Sequence, residues 1–173
     1  MTIYEVRFHG RGGQGAVTAA NLLAVAAGHE GKYSRAFPFF GVERRGAPVQ
    51  AFCRISDKPF RAYQNVYEPD AVVVLDSTLI KDVDVVSGLK KNGHAIVNCH
   101  ECPSLKTSKV SYVNATEIAI KNIKKPIVNT AMLGAFAKVT GAVKLDSLKK
   151  AVSESWGESN VKALEECYDK VKS

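Results

Sequence analysis

A chain of 173 residues with 46% hydrophobic composition is long enough for one complete core and short for two, so a single domain over residues 1–173 is expected. No run of about 18 apolar residues is present to cross a bilayer, and Met1 leads straight into strand-like sequence rather than a basic segment and an apolar signal core, which points to a soluble, cytoplasmic protein with no membrane partner. The net charge of +7 admits nucleic acid, but all seven arginines lie between Arg7 and Arg61 and the twelve lysines after residue 100 are spread against eight acids; without a basic block interleaved with aromatics, no nucleic-acid partner is expected.

The first element, Tyr4–His9, reads as a short apolar strand. It runs through Gly10-Arg11-Gly12-Gly13-Gln14-Gly15 into an alanine-rich helix from about Gly15 to Ala27, closed by Gly28. Gly10, Gly12 and Gly15 fit G-x-G-x-x-G, and a strand before and a helix after is the setting in which that pattern cradles phosphate. Glycines take positive φ and let an anion reach main-chain N–H groups at the positive end of a helix dipole. The same glycines would equally serve close packing of strand on helix. If the loop binds, Gly10, Arg11, Gly12, Gly13, Gln14 and Gly15 are its candidate residues.

The next strand, Lys32–Phe37, bears on the ligand. A nicotinamide-binding unit places an Asp or Glu about 20 residues past the glycines to bond the ribose, and here that strand has none. Arg35 stands near the place and suits a phosphorylated ribose, as in NADP or the 3′-phosphoadenosine end of coenzyme A; otherwise it is a solvated edge residue. The crowding of arginines around this region fits recognition of a phosphorylated ligand or an acidic partner surface.

Phe37 to Pro48 packs three aromatics, two prolines, two glycines and the trio Glu43-Arg44-Arg45 into twelve residues, a composition of neither helix nor strand. A loop with so many apolar rings covers its own core or another chain. Arginine and aromatic residues are what interface cores select, so Phe39, Phe40, Glu43, Arg44 and Arg45 are candidate partner contacts.

Beyond it, Val49–Ile55 is expected to add an antiparallel strand, and Ala71–Leu75 a central strand covered on both faces. A helix is expected over Leu79–Lys91, with Ser77 as cap and Asn92-Gly93 as stop, then strands Ala95–Asn98 and Ser111–Val113. Cys99-His100-Glu101-Cys102 has C-x-x-C spacing, but no second pair follows, and Pro103-Ser104 continue a loop where a thioredoxin-like motif would open a helix. It reads as a loop, with no metal site. Cys53, Cys99, Cys102 and Cys167 are too scattered for a disulfide framework and suit a reducing compartment.

After about residue 115 the chain turns helical. Apolar residues at three- and four-residue spacing mark Thr116–Asn122, Val128–Thr140, Leu145–Trp156 and Asn160–Val171, with Gly141 ending the second. The small residues of Asn129–Phe136 would let another backbone come close, in a packed helix or one beside the glycine loop. The whole predicts an α/β fold: a three-layer α/β/α sandwich on an open, mostly parallel sheet, with a Rossmann-like glycine-rich first βα turn and a helical C-terminus.

Taken together, Gly10-Arg11-Gly12-Gly13-Gln14-Gly15, then Gly41-Val42-Glu43-Arg44-Arg45-Gly46, then Met132-Leu133-Gly134-Ala135 resemble one family, the gamma subunit or corresponding domain of the 2-oxoacid:ferredoxin oxidoreductases. The similarity runs essentially end to end, and the Phe37–Pro48 segment looks most like the pyruvate-type enzymes. The resemblance implies a cytoplasmic complex of alpha, beta, gamma and delta subunits that converts pyruvate, coenzyme A and oxidised ferredoxin to acetyl-CoA, carbon dioxide and reduced ferredoxin, reversibly. It implies thiamine diphosphate with Mg between alpha and beta, and [4Fe-4S] clusters on beta and delta. This chain matches none of those cofactor motifs, and has no His or Tyr–Lys constellation to move a proton or hydride, so no catalytic residue is expected on it. Its implied share is to help hold coenzyme A through Arg11–Gly15 and Arg35 and to dock through Phe39–Arg45. The alternatives are a stand-alone NADP-binding oxidoreductase and a purely structural subunit.

Overall fold

A computed structural model of the chain describes residues 3–39, 44–107 and 109–173. Six strands, β1 (Tyr4–Arg11), β2 (Tyr33–Pro38), β3 (Pro48–Ser56), β4 (Ala71–Val74), β5 (His94–Asn98) and β6 (Val110–Val113), form one sheet in the order β2-β3-β1-β4-β5-β6. β1, β4, β5 and β6 are mutually parallel, while β3 runs antiparallel to both β1 and β2. Five helices complete the fold: α1 (Ala16–His29), α2 (Ala115–Ile123), α3 (Asn129–Thr140), α4 (Leu145–Trp156) and α5 (Glu158–Lys170). The strands match the expected ranges to within one or two residues, the scatter inherent in element ends. Among the described residues no helix is long and apolar enough to cross a membrane.

Alternation along the strands sorts two faces. Val6, Phe8, Cys53, Ile55, Val73 and Ile96 point to a large apolar core that takes in the buried residues of all five helices. α3 is its centre: every residue from Asn129 to Ala137 is buried, the mark of a helix surrounded on all sides. Gly134 lies so close to α5 that a Cβ there would collide with the Leu164 carbonyl.

The opposite face differs from expectation. Val72, Val74, Ala95 and Val97 are covered there by Leu79, Val85 and Val86, with Val83, Leu89 and Leu105 around them. The helix expected over Leu79–Lys91 is a short 3-10 turn, Ser77–Lys81, followed by turns. Gly88 takes φ +71 and abuts the Tyr67 carbonyl, which interrupts a helix there, and the β-branched Val83, Val85 and Val86 lower helix propensity ahead of it. The third layer is therefore irregular chain, and the α/β/α sandwich has helices on one side only. Topology requires cover on both sides: the chain leaves β1 for β2 through α1 and steps from β4 to β5 in the other direction, so right-handed crossovers fall on opposite faces.

Irregular chain leaves carbonyls without helical partners, and two buried arginines take them up. Arg7 Nη2 donates to the carbonyls of Val85 (3.1 Å) and Ser87 (2.6 Å). Arg54, 1% exposed, donates to the carbonyls of Ala62 and Asn65, each at 3.3 Å, and pairs with Glu5 at 2.7 Å. These two arginines are not ligand-facing, which corrects part of the expectation drawn from arginine crowding. Arg7 Nε also donates to His9 Nε2 at 3.0 Å. Burial first, and the Arg7 charge second, push the His9 pKa from 6.5 to about 3, so the ring is a neutral acceptor.

The unfolded chain binds a proton at His9 that the folded chain refuses, so stability contributed here is present above pH 6.5 and is lost as pH falls from 6.5 toward 3. Denaturant melts recorded from pH 7 to pH 4 should show that decline, and His9→Gln, which keeps an acceptor but cannot titrate, should flatten it. An equal slope in both proteins would refute the assignment.

Candidate functional site

The direction along the sheet reverses between β1 and β4, the kind of switch point where open α/β sheets form a crevice beyond the strand ends. The loop after β1 lies there. Gln14 N–H donates to the Arg11 carbonyl at 2.9 Å, closing a turn, and Gln14 Oε1 accepts the Arg11 N–H at 2.7 Å. Gln14 Nε2 reaches across to donate to Asp76 Oδ2 at 2.9 Å, just past β4. The other Asp76 oxygen accepts from Thr78 N–H (3.0 Å) and Thr78 Oγ1 (2.6 Å), capping the 3-10 turn. Burial alone would raise the Asp76 pKa, but hydrogen bonds from Thr78 and Gln14, with the Arg11 charge, outweigh it and hold the carboxyl below its ordinary value.

Arg11 is spent inside this network. Nη2 donates to Thr78 Oγ1 (2.8 Å) and lies 3.3 Å from Asp82, Nη1 donates to the Gly46 carbonyl (3.2 Å), and Nε stands 3.4 Å from Asp76. Three segments are thus tied by one guanidinium, where the sequence suggested a ligand contact. The 44–48 segment is also laced to the loop by its main chain, with Gly12 N–H to Ala47 O at 2.9 Å and Gly46 N–H to Gly12 O at 3.1 Å.

The glycines divide between the two roles left open by their spacing. A Cβ at Gly12 would strike the Arg44 carbonyl, and one at Gly15, φ +79, would strike the Asn129 side chain of α3. Those two serve close packing. Gly13, φ +93, meets nothing within 4 Å and opens onto a cleft of about 860 Å³, whose walls include Gly15, Ala16, Val17, Phe39, Arg44 and Arg45. α1 begins at this wall without a side-chain cap, so its first-turn N–H groups are available for an anion. A second cavity, of about 650 Å³, lies past β4 and β5 and carries Asp76 and Glu117 but no lysine or arginine. Of these two, the first carries the anion-seeking groups.

Arg35 is not part of this site. It pairs in register with Arg54, which pairs with Glu5, six residues from Arg11 and so about 20 Å along the strands at about 3.3 Å per residue. Its guanidinium lies 4.4 Å over the Tyr63 ring. β2 is separated from β1 by β3, so the position that meets the ribose in a parallel pair falls elsewhere. Phe39 is 45% exposed at the cleft and meets Phe52 edge-on, ring centroids 6.4 Å apart, and Phe37 tilts onto the same ring at 5.2 Å. Arg44 and Arg45 are exposed, whereas Phe40 and Glu43 lie outside the described residues.

The start of α3 lies beside the glycine loop as its small residues allowed, with Asn129 against Gly15, whereas Asp76, Thr78 and Asp82, which shape the loop, escaped the sequence reading. Asp76-Ser77-Thr78 directly after an apolar strand is a capping signal, and it could have found the first two. Cys99 and Cys102 are free thiols on a loop, and burial, then proximity to Cys102, pushes the Cys99 pKa up to about 11, far from an activated thiolate.

The family model described as pyruvate ferredoxin/flavodoxin oxidoreductase matches residues 5–170. The chain is 55% identical over 172 residues to the pyruvate synthase subunit PorC of Methanothermobacter marburgensis, covering 97% of each. It is 56% identical over 177 residues to the pyruvate/ketoisovalerate oxidoreductases common subunit gamma of Thermococcus kodakarensis, covering 96% of each. Among solved structures, the pyruvate oxidoreductase subunit PORC of Thermotoga maritima superposes with a TM-score of 0.88 at 38% identity, covering 99% of this chain and 98% of that one.

The split between packing and cleft-facing glycines has a thermodynamic signature. Gly12→Ala drives a methyl into backbone and should cost about 1–3 kcal/mol, while Gly13→Ala should cost only the left-handed strain of about 1–2 kcal/mol with no repacking around it. Urea unfolding of the two variants, with nearest-neighbour amide shifts by NMR, checks this: shifts at Arg44 and Ala47 in Gly12→Ala alone are expected.

Proposed function

The chain belongs to the pyruvate ferredoxin/flavodoxin oxidoreductase family, as a subunit of the gamma type, and from that premise we propose that its cleft holds the phosphorylated end of coenzyme A for a complex acting on pyruvate. In that complex pyruvate, coenzyme A and oxidised ferredoxin give acetyl-CoA, carbon dioxide and reduced ferredoxin, reversibly. The decarboxylating chemistry and electron transfer belong to the alpha, beta and delta subunits with their thiamine diphosphate, Mg and [4Fe-4S] clusters. This chain supplies binding and assembly.

The observation that carries the proposal is one wall on which three anion-seeking features converge: the open face of Gly13, the uncapped start of α1 at Gly15, Ala16 and Val17, and the exposed Arg44 and Arg45, all lining the same cleft of about 860 Å³. Main-chain N–H groups and guanidinium forks are the two donor types best suited to phosphate oxygens. Gly10 and Gln14 act one step back, while Arg11, Gly12 and Gly15 line the cleft and are held in place by the same contacts. Together they fix the loop against β4 and α3. Phe39, with Arg44 and Arg45 on the rim, also suits contact with a neighbouring subunit, where an aromatic ring and arginines supply area and direction.

Arg44→Ala and Arg45→Ala in the assembled complex should each raise the KM for coenzyme A about tenfold, the ~1.4 kcal/mol expected for a lost charge-assisted contact, while leaving the KM for pyruvate and the thermal midpoint unchanged. Steady-state dye reduction with varied coenzyme A measures it. Unchanged KM in the double variant would leave the subunit as a purely structural member of the complex.

A further inference from the structure

The seven arginines separate into two groups in space. Arg7 and Arg54 are buried and Arg11 is bonded to Thr78, Asp82 and Gly46. Arg35, Arg44, Arg45 and Arg61 are exposed, and all four belong to β2 or to the segments flanking β3. The same side carries exposed tyrosines: Tyr33 on β2, 49% exposed, and Tyr63, 71% exposed, beneath the Arg35 guanidinium.

The two edges of the sheet are treated differently. At β6, Tyr112 and Lys172 exchange main-chain hydrogen bonds of 2.8 and 2.9 Å, so that edge is closed by the chain itself. At the other end β2 is the last strand, and among the described residues no strand pairs with its outer side over Tyr33–Pro38. Alternate residues of this edge, Ser34 and Ala36 with the carbonyl of Pro38, turn main-chain groups away from β3, and such a row is a template for another strand.

We propose that β2 is a docking edge, on which an extended, acid-bearing segment of another subunit of the complex adds as a further strand. Its main chain pairs with Tyr33–Pro38 and its carboxylates meet Arg35 and Arg61. Charge selects this occupant. Leaving aside the buried Arg54, residues 32 to 61 hold Lys32, Arg35, Arg44, Arg45, Lys58 and Arg61 against only Glu43 and Asp57, so a second copy of the same edge would oppose cation to cation. The edge is also continuous with Phe39, where β2 runs out into the cleft rim. The inference rests on the gamma-subunit reading, and the experiment separates the two.

Hydrogen exchange is followed by mass spectrometry on the full chain alone and in the assembled complex. The outward-facing β2 amides, Ser34 and Ala36, should exchange freely in the isolated chain and slow at least tenfold on assembly, while the inward-facing Arg35 and Phe37 amides, bonded to β3, and the Tyr112 amide of β6 stay protected in both states. In parallel, Arg35→Glu/Arg61→Glu should keep the thermal midpoint yet weaken capture by the remaining subunits at least tenfold, most at low salt. A chain that assembles with unchanged β2 exchange, or a double variant that assembles normally, overturns the docking edge and leaves the subunit reading intact. Protection of β2 that rises with concentration of the isolated chain assigns the edge to a second copy and overturns it too. A chain that enters no complex removes the subunit reading, and this inference with it.

Discussion

Everything on the second face of the sheet depends on guanidinium groups meeting carbonyl oxygens in the interior. A helix satisfies its own main chain, but the segments between β3 and β4 and between β4 and β5 carry no α-helix, so their carbonyls must find donors elsewhere or stay wet. Arg7 and Arg54 reach out from β1 and β3, carrying several N–H groups in a fixed fork, and hold Val85, Ser87, Ala62 and Asn65 by their oxygens. Lysine could not span two carbonyls with that geometry. The neutral His9 imidazole completes the arrangement by accepting from Arg7, so that no buried side-chain polar atom among the described residues is left without a partner.

The same residue type does a different job at the strand ends. Arg11 ties the glycine loop to the 3-10 turn and the 44–48 segment, with Gln14 and Asp76 forming a second strut across the switch point. The cleft is thereby held open by ion pairs and hydrogen bonds at its base while its rim keeps Arg44 and Arg45 exposed. The charge of Arg11, which sets the shape, is met by Asp76 and Asp82, while those of Arg44 and Arg45 remain at the exposed rim.

Strand positions, the helical second half and the glycine loop were legible because they rest on local rules: alternation, three- and four-residue spacing, and glycine at turns. The family resemblance was equally legible in three short motifs. What failed was non-local. Val83, Val85 and Val86 carry helix-compatible spacing, and the reasons their segment stays unwound, the Arg7 donors on β1 and the positive φ of Gly88 against Tyr67, are contacts with other elements. Arg35 was placed near the ribose position by counting residues from the glycines. That count assumes that the second strand neighbours the first, whereas β3 intervenes and shifts Arg35 to the far end of the sheet. The roles of Gly12, Gly13 and Gly15 could not be separated from their spacing, since the atoms that decide them belong to Arg44 and Asn129.

The contact between Gly15 and Asn129 has a kinetic meaning. The Asn129 amide approaches the Gly15 carbonyl across 114 positions of sequence, and Arg11 meets Thr78 across 67. Such closures come late, because the entropy of joining distant segments must be met before the contact rewards it. A partly folded chain can possess β1, α1 and their connecting loop and still lack the Asn129 contact that fixes Gly15. The loop reaches its final geometry only when α3 docks, which makes the placement of Gly15 at the cleft wall a report on completed folding.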